Sequence, residues 1–142
     1  MFSTDHLHPM LVHFPIALVA LGFVAELASL FIKKEVCFYK IGFYLLIVGT
    51  LSAVVTGLSG LLFTGDMSGS AGEMKETHEL FAWITVGLLV VTSVLKVILQ
   101  IQKGANAGLK WVSFVLYAMA AISVSVTGFF GGTLVYNYMM PL

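Results

Sequence analysis

Hydrophobic positions in this chain come in long unbroken runs rather than in alternation. Leu11 to Ala25 carries no charge, Glu26 interrupts, and the apolar run resumes to Ile32. Ile41 to Phe63 is uncharged throughout. Leu80 to Leu95 is likewise uncharged, and with Lys96 snorkelling to the interface the run extends to Ile101. From Trp111 to the C-terminus there is no charge at all. About 20 helical residues at 1.5 Å each cross a ~30 Å hydrocarbon core. The pattern therefore predicts an all-α integral membrane four-helix bundle, one domain with spans near 10–32, 39–63, 79–101 and 111–136. A membrane barrel is disfavoured, because it needs many short alternating segments. The first run lacks a basic leader and a small-residue cleavage site before its charged turn, and opens with Asp5, His6 and His8, so it reads as a retained span.

Composition agrees. Of 142 residues, 59% are hydrophobic and 10% charged, and the mean hydropathy is +1.01, whereas a soluble domain has roughly a quarter of its residues charged. With seven Lys, no Arg and a net charge of zero, no basic face exists to hold a nucleic acid. The single cysteine, Cys37, cannot form an internal disulfide and has no assigned role. No phosphate-binding loop, dinucleotide fingerprint, nucleophile motif or zincin helix occurs.

The lysines predict the orientation. Lys33, Lys34 and Lys40 lie between spans one and two, and Lys96, Lys103 and Lys110 surround the connection of three and four. Only Lys75 joins Asp5, Asp66, Glu73, Glu76 and Glu79 on the other side. Positive charge stays on the cytoplasmic side, which predicts that both termini and the 64–78 loop face outward. Trp83 and Trp111 fall near opposite interfaces.

The two halves echo each other. His13-Phe14-Pro15-Ile16-Ala17 opens span one and His78-Glu79-Leu80-Phe81-Ala82 opens span three, while Thr56-Gly57-Leu58-Ser59-Gly60 and Thr127-Gly128-Phe129-Phe130-Gly131 fall near the outer ends of spans two and four. That order suggests two pseudo-symmetric hairpins related by an axis along the membrane normal, with spans one and three diagonal to one another. His13 and His78 then sit at similar depth, with Gly57, Gly60, Gly128 and Gly131 removing bulk between them and Thr56 and Thr127 beside them. Two imidazoles flanking a glycine-lined gap suit a haem b held by two histidines or a metal ion. The same glycines also serve close helix packing.

Other groups enter as weaker candidates. His6, His8, His13 and His78, with Met1, Met10, Met67, Met74, Met139 and Met140, gather at the outer side, a ligand set compatible with copper but without metal-site spacing. Asp66 is the expected holder of a ligand histidine's second nitrogen. Ser70 and Glu73 form a capping-box pattern for a short helix leading into span three. Glu26, the acid well inside a span, is expected to reach the interface near Lys33 or Lys34, or to stay protonated or help pass a proton.

The stretch His8-Pro9-Met10-Leu11-Val12-His13-Phe14-Pro15-Ile16-Ala17-Leu18, with Thr56-Gly57, His78 and the closing Gly131-Gly132-Thr133-Leu134-Val135-Tyr136, resembles the family known as domain of unknown function 2231. The likeness covers essentially the whole chain and implies a bacterial four-span membrane protein. Some relatives are joined to cytochrome-c-like domains, which implies an electron-transfer setting. No Cys-x-x-Cys-His attachment is present, so any haem here is held noncovalently. The leading expectation is a b-type cytochrome-like subunit in which His13 and His78 ligate one haem near the outer face and pass electrons to membrane or periplasmic redox proteins. The alternatives are a structural or assembly subunit, or an outer-face copper protein. The chain either pairs with a second copy, through Gly42 and Gly49, or joins a larger complex.

Overall fold

The computed structural model describes residues 7–32, 36–103 and 105–138. Its elements are α1 (Leu7–Leu11), α2 (His13–Phe31), α3 (Val36–Phe63), α4 (Ser70–Ile101) and α5 (Ala107–Asn137). Four helical stretches are long and apolar enough to cross a membrane, the first of them His8–Phe31, which combines α1 and α2. Asp5, His6, Lys33, Lys34, Met1, Met139 and Met140 lie outside the described residues.

The spans start earlier than hydropathy alone predicts. Most marked is α4, which runs unbroken from Ser70, so the expected loop of 64–78 shrinks to 64–69. Gly69, at φ 65°, makes the entry turn and no side chain caps it; Ser70 is the first helical residue rather than half of a capping box. At the other end of the bundle, the Asn106 side chain accepts from Leu109 N–H at 3.0 Å and starts α5. The junction of α1 and α2 also has an identifiable cause. Pro15 has no N–H to give the Leu11 carbonyl, and Thr56 Oγ1 of α3 donates to that carbonyl instead, at 3.2 Å.

Helices α2 and α3 form one hairpin and α4 and α5 the other, with α3 against α4 and α2 against α5 closing the bundle. Large apolar side chains face outward, among them Leu21, Leu51, Leu62, Ile122 and Phe129, while hydroxyls and charges are buried. That inversion suits a lipid surround, where helices associate through small and polar residues. Thr50 Oγ1 meets Ser93 Oγ at 2.8 Å between α3 and α4, and Thr85 Oγ1 meets Ser123 Oγ at 2.7 Å between α4 and α5.

Buried positions repeat between the halves. Pro15, Val19, Gly22 and Glu26 of α2 correspond in position to Thr85, Leu89, Thr92 and Lys96 of α4; Gly42, Leu46, Gly49 and Ala53 of α3 correspond to Ser113, Tyr117, Ala120 and Val124 of α5. In this register His8, not His13, is the counterpart of His78, so the repeat is real but begins five residues earlier than the sequence motifs suggest.

Gly42 and Gly49 face α2 rather than a second copy. A Cβ on Gly42 would stand 3.1 Å from the Gly22 carbonyl oxygen and from Glu26 N, and one on Gly49 would stand 3.0 Å from Val19 Cγ2. Lys96 does not snorkel. It is fully buried, with its Nζ over the Tyr39 ring, 5.1 Å from the centroid, and paired to Glu26 Oε1. Glu26 is therefore held by Lys96 across the bundle, and its Oε2 is buried without a partner among the described residues. With Lys96 inside, Lys40, Lys103 and Lys110 are the exposed lysines of that end among the described residues.

Candidate functional site

At the opposite end, two imidazoles approach the pseudo-twofold axis, one from each half. His8 of α1 and His78 of α4 lie with ring centroids 6.3 Å apart and ring planes at 81°. Each is fixed by the second long helix of its own half, α3 for His8 and α5 for His78. His8 Nδ1 donates to the Thr56 carbonyl at 3.2 Å and to Ser59 Oγ at 2.9 Å, while the Ser59 hydroxyl donates to the same carbonyl at 2.7 Å. His78 Nδ1 donates to the Thr127 carbonyl at 3.0 Å. A carbonyl can only accept, so the hydrogen of each neutral ring is on Nδ1 and the Nε2 lone pair is left over. Neither Nε2 has a hydrogen-bond partner among the described residues.

Beneath each ring lies a glycine. A Cβ on Gly60 would stand 3.0 Å from His8 Cε1, and a Cβ on Gly131 would stand 3.0 Å from His78 Cε1. Histidine, carbonyl and glycine thus recur in both halves with the same geometry. The difference lies one layer deeper. Thr56 spends its hydroxyl on the carbonyl that Pro15 leaves free, whereas Thr127 donates to Ser123 O at 2.9 Å and lies 3.1 Å from Thr85, the counterpart of Pro15.

Between the rings and α2, α3, α4 and α5 is a cavity of about 180 Å³. A smaller one of about 90 Å³ continues inward past Thr56, Thr85 and Thr127. Their shared walls are apolar or bare backbone: Val12, Ile16, Val86, Gly57, Gly128 and Gly132. At Gly132 a Cβ would meet nothing within 4 Å, and at Gly57 it would meet only Trp83 at 3.9 Å and Val86 at 4.0 Å. These glycines border space, whereas Gly60 and Gly131 make room for rings.

The site residues expected from the sequence are mostly brought together. His78, Gly57, Gly60, Gly128, Gly131, Thr56 and Thr127 all border the cavities. His13 stands at the rim instead, exposed, with Nδ1 donating to the carbonyl of Pro9 one turn back at 2.8 Å; His8 takes the place opposite His78. The misleading feature was Pro9, which reads as a helix breaker. Proline is tolerated in a first helical turn, and His8 is already helical. The nearly equal spacing, 48 residues from His8 to Thr56 and 49 from His78 to Thr127, was the signal that points to the pair.

Asp66 is exposed and the Nδ1 atoms have main-chain partners, so among the described residues no carboxylate orients the rings. Glu79 borders the cavity and pairs with Lys75 at 3.4 Å. Met10 is exposed and Met67 and Met74 are half-buried. Among the described residues no three His, Cys, Asp or Glu side chains cluster as a metal site. The chemistry available is that of two neutral imidazoles, each with one nitrogen oriented by backbone, at the edge of an apolar cavity.

No curated protein and no solved structure matches the chain. Residues 4–141 match the family described as predicted membrane protein DUF2231, and with nearly the whole chain covered, the protein belongs to that family.

Proposed function

We propose that the protein is a b-type cytochrome-like membrane subunit in which His8 and His78 ligate one haem between the two hairpins. The observation that carries this reading is the imidazole pair, with ring centroids 6.3 Å apart and both Nδ1 atoms tied to main-chain carbonyls. Imidazole nitrogens bind metals at about 2 Å, so two rings on opposite sides of one metal have centroids roughly 6 Å apart. Binding backbone through Nδ1 is how ligand histidines are oriented and made more basic. The adjoining cavity is lined by aliphatic side chains and glycines rather than by further metal ligands, a lining that suits a flat apolar ring better than a bare copper ion.

A haem held this way supplies one-electron transfer. The chain's own part is to hold the iron ligands, exclude water with Ile16, Val12 and Val86, and set the polarity of the pocket. A single site near one end of the bundle serves electron exchange at that face of the membrane. Lys40, Lys103 and Lys110, exposed at the other end, support an inner-membrane orientation with the histidine end in the periplasm, where redox proteins or a larger complex would dock.

The test is the absorption spectrum of detergent-purified protein, oxidised and dithionite-reduced, with haem and metal quantified. We expect a sharp reduced alpha band at about one haem per chain, lost in His8→Ala and in His78→Ala and kept in His13→Ala. A folded, colourless, metal-free wild type overturns the reading in favour of a structural subunit. Copper in place of haem moves it to a two-imidazole metal protein. Loss of the band in His13→Ala with retention in His8→Ala would overturn the ligand pair.

A further inference from the structure

The cavity is largely apolar but carries charge where Lys75 and Glu79 border it, Lys75 being its one lysine among the described residues. The side chain of Lys75 is only 16% exposed. Its Nζ donates to the Gly65 carbonyl at 3.0 Å and lies 3.4 Å from Glu79 Oε1. The carbonyl belongs to the 64–69 connection and holds the ammonium at the rim, on the same helix as His78 and within one turn of it. Glu79 is more loosely committed, with its side chain 45% exposed. An ammonium group has three donors, so Lys75 can take a further anionic oxygen or exchange one acceptor for another.

Resting on the cofactor reading above, we infer that Lys75 anchors the carboxylate arms of the molecule in the cavity, with Glu79 as the competing acceptor. The site then selects a flat apolar body bearing carboxylates along one edge. The body lies among glycines and aliphatic side chains, where a charge would be costly, and the carboxylates remain at the wet rim beside the ammonium of Lys75. A charge-assisted hydrogen bond there is stronger than a neutral one. Glu79 stands close enough to neutralise Lys75 but exposed enough to be released at little cost, which makes it a regulator of the affinity rather than part of the anchor. The bland alternative is that Lys75 and Glu79 are an i,i+4 surface pair with no ligand role.

The two are separated by changing the ligand's charge and the protein's together. The full chain in detergent is titrated with iron protoporphyrin IX and with its dimethyl ester, which has the same ring and no carboxylates. Wild type, Lys75→Met, Lys75→Arg and Glu79→Gln are compared by Soret absorption. We expect Lys75→Met to bind the diacid about tenfold more weakly and the diester unchanged. Lys75→Arg should keep the preference for the diacid, and Glu79→Gln should tighten the diacid alone. Equal effects on diacid and diester, or no effect on either, overturn the role of Lys75 and leave the cofactor reading standing. If wild type binds neither porphyrin, the cofactor reading falls, and this inference with it. Should Lys75→Met not fold, Glu79→Gln decides: a diacid affinity no tighter than wild type, or a diester affinity that rises equally, overturns the proposal.

Discussion

The two ends of the pseudo-twofold axis use the same repeat in opposite ways. At one end the equivalent residues are identical, His8 and His78; at the other, about 27 Å along the helices at 1.5 Å per residue, they are opposite in charge, Glu26 and Lys96. Identical imidazoles leave a cavity between the hairpins, each ring turned onto its own half's backbone. Opposite charges instead draw the hairpins together, and the space around them is filled by Tyr117, whose hydroxyl donates to the Gly42 carbonyl at 3.3 Å. A twofold repeat can place like residues at its axis only if they tolerate one another. Neutral imidazoles do, and two buried carboxylates or two buried ammonium groups would not. The closed end therefore had to break the symmetry, while the open end keeps it and leaves the Nε2 of each ring without a partner among the described residues.

The comparison is broken most forcefully at the closed end. Lys96→Met leaves Glu26 buried without its counterion and should cost about 3–5 kcal/mol, whereas Glu26→Met combined with Lys96→Met should recover most of that loss. Unfolding in detergent, followed by circular dichroism, measures both, and a double variant as unstable as the single one would remove the ion pair from the explanation. A smaller effect comes from packing. A Cβ on Gly22 would overlap the Tyr117 hydroxyl and stand 2.9 Å from Leu45 Cβ, so Gly22→Ala should cost about 1–3 kcal/mol. Adding Tyr117→Phe should relieve part of this; no relief would place the clash at Leu45. The smallest stability change sharpens the contrast at the open end. Gly131→Ala presses on the His78 ring from 3.0 Å, while Gly57→Ala meets its neighbours only at 3.9 Å and beyond. We expect about 1 kcal/mol for the first and less for the second, with the first also weakening whatever the two imidazoles hold. Equal ligand occupancy in the two variants would show that the ring position is not critical.

The reach of the sequence follows the same division. Spans, their order and the absence of strands among the described residues could be read from hydropathy, because lipid demands continuous apolar helices. The glycines and threonines of the site were legible as repeated motifs, since Thr56-Gly57 and Thr127-Gly128 are locally identical. His8 was obscured by Pro9. Lys96 was read as an interfacial residue because its position near a helix end is compatible with snorkelling, and no local feature names its partner 70 residues away. Asp66 was preferred to Glu79 because Glu79, next to His78, points elsewhere around the helix, but main-chain carbonyls already satisfy the nitrogens Asp66 was expected to hold.

By itself, then, the sequence determined that four apolar helices cross a membrane in two similar hairpins, since length, hydropathy and motif order are properties of the chain alone. Tertiary structure decided which histidine faces His78, which charge answers Glu26, and which glycines border space rather than a neighbour. Each of those depends on how the two hairpins are rotated and set in depth against each other. That register comes from packing small residues across the interface, where a shift of a few residues along one helix leaves its hydropathy unchanged but exchanges every partner.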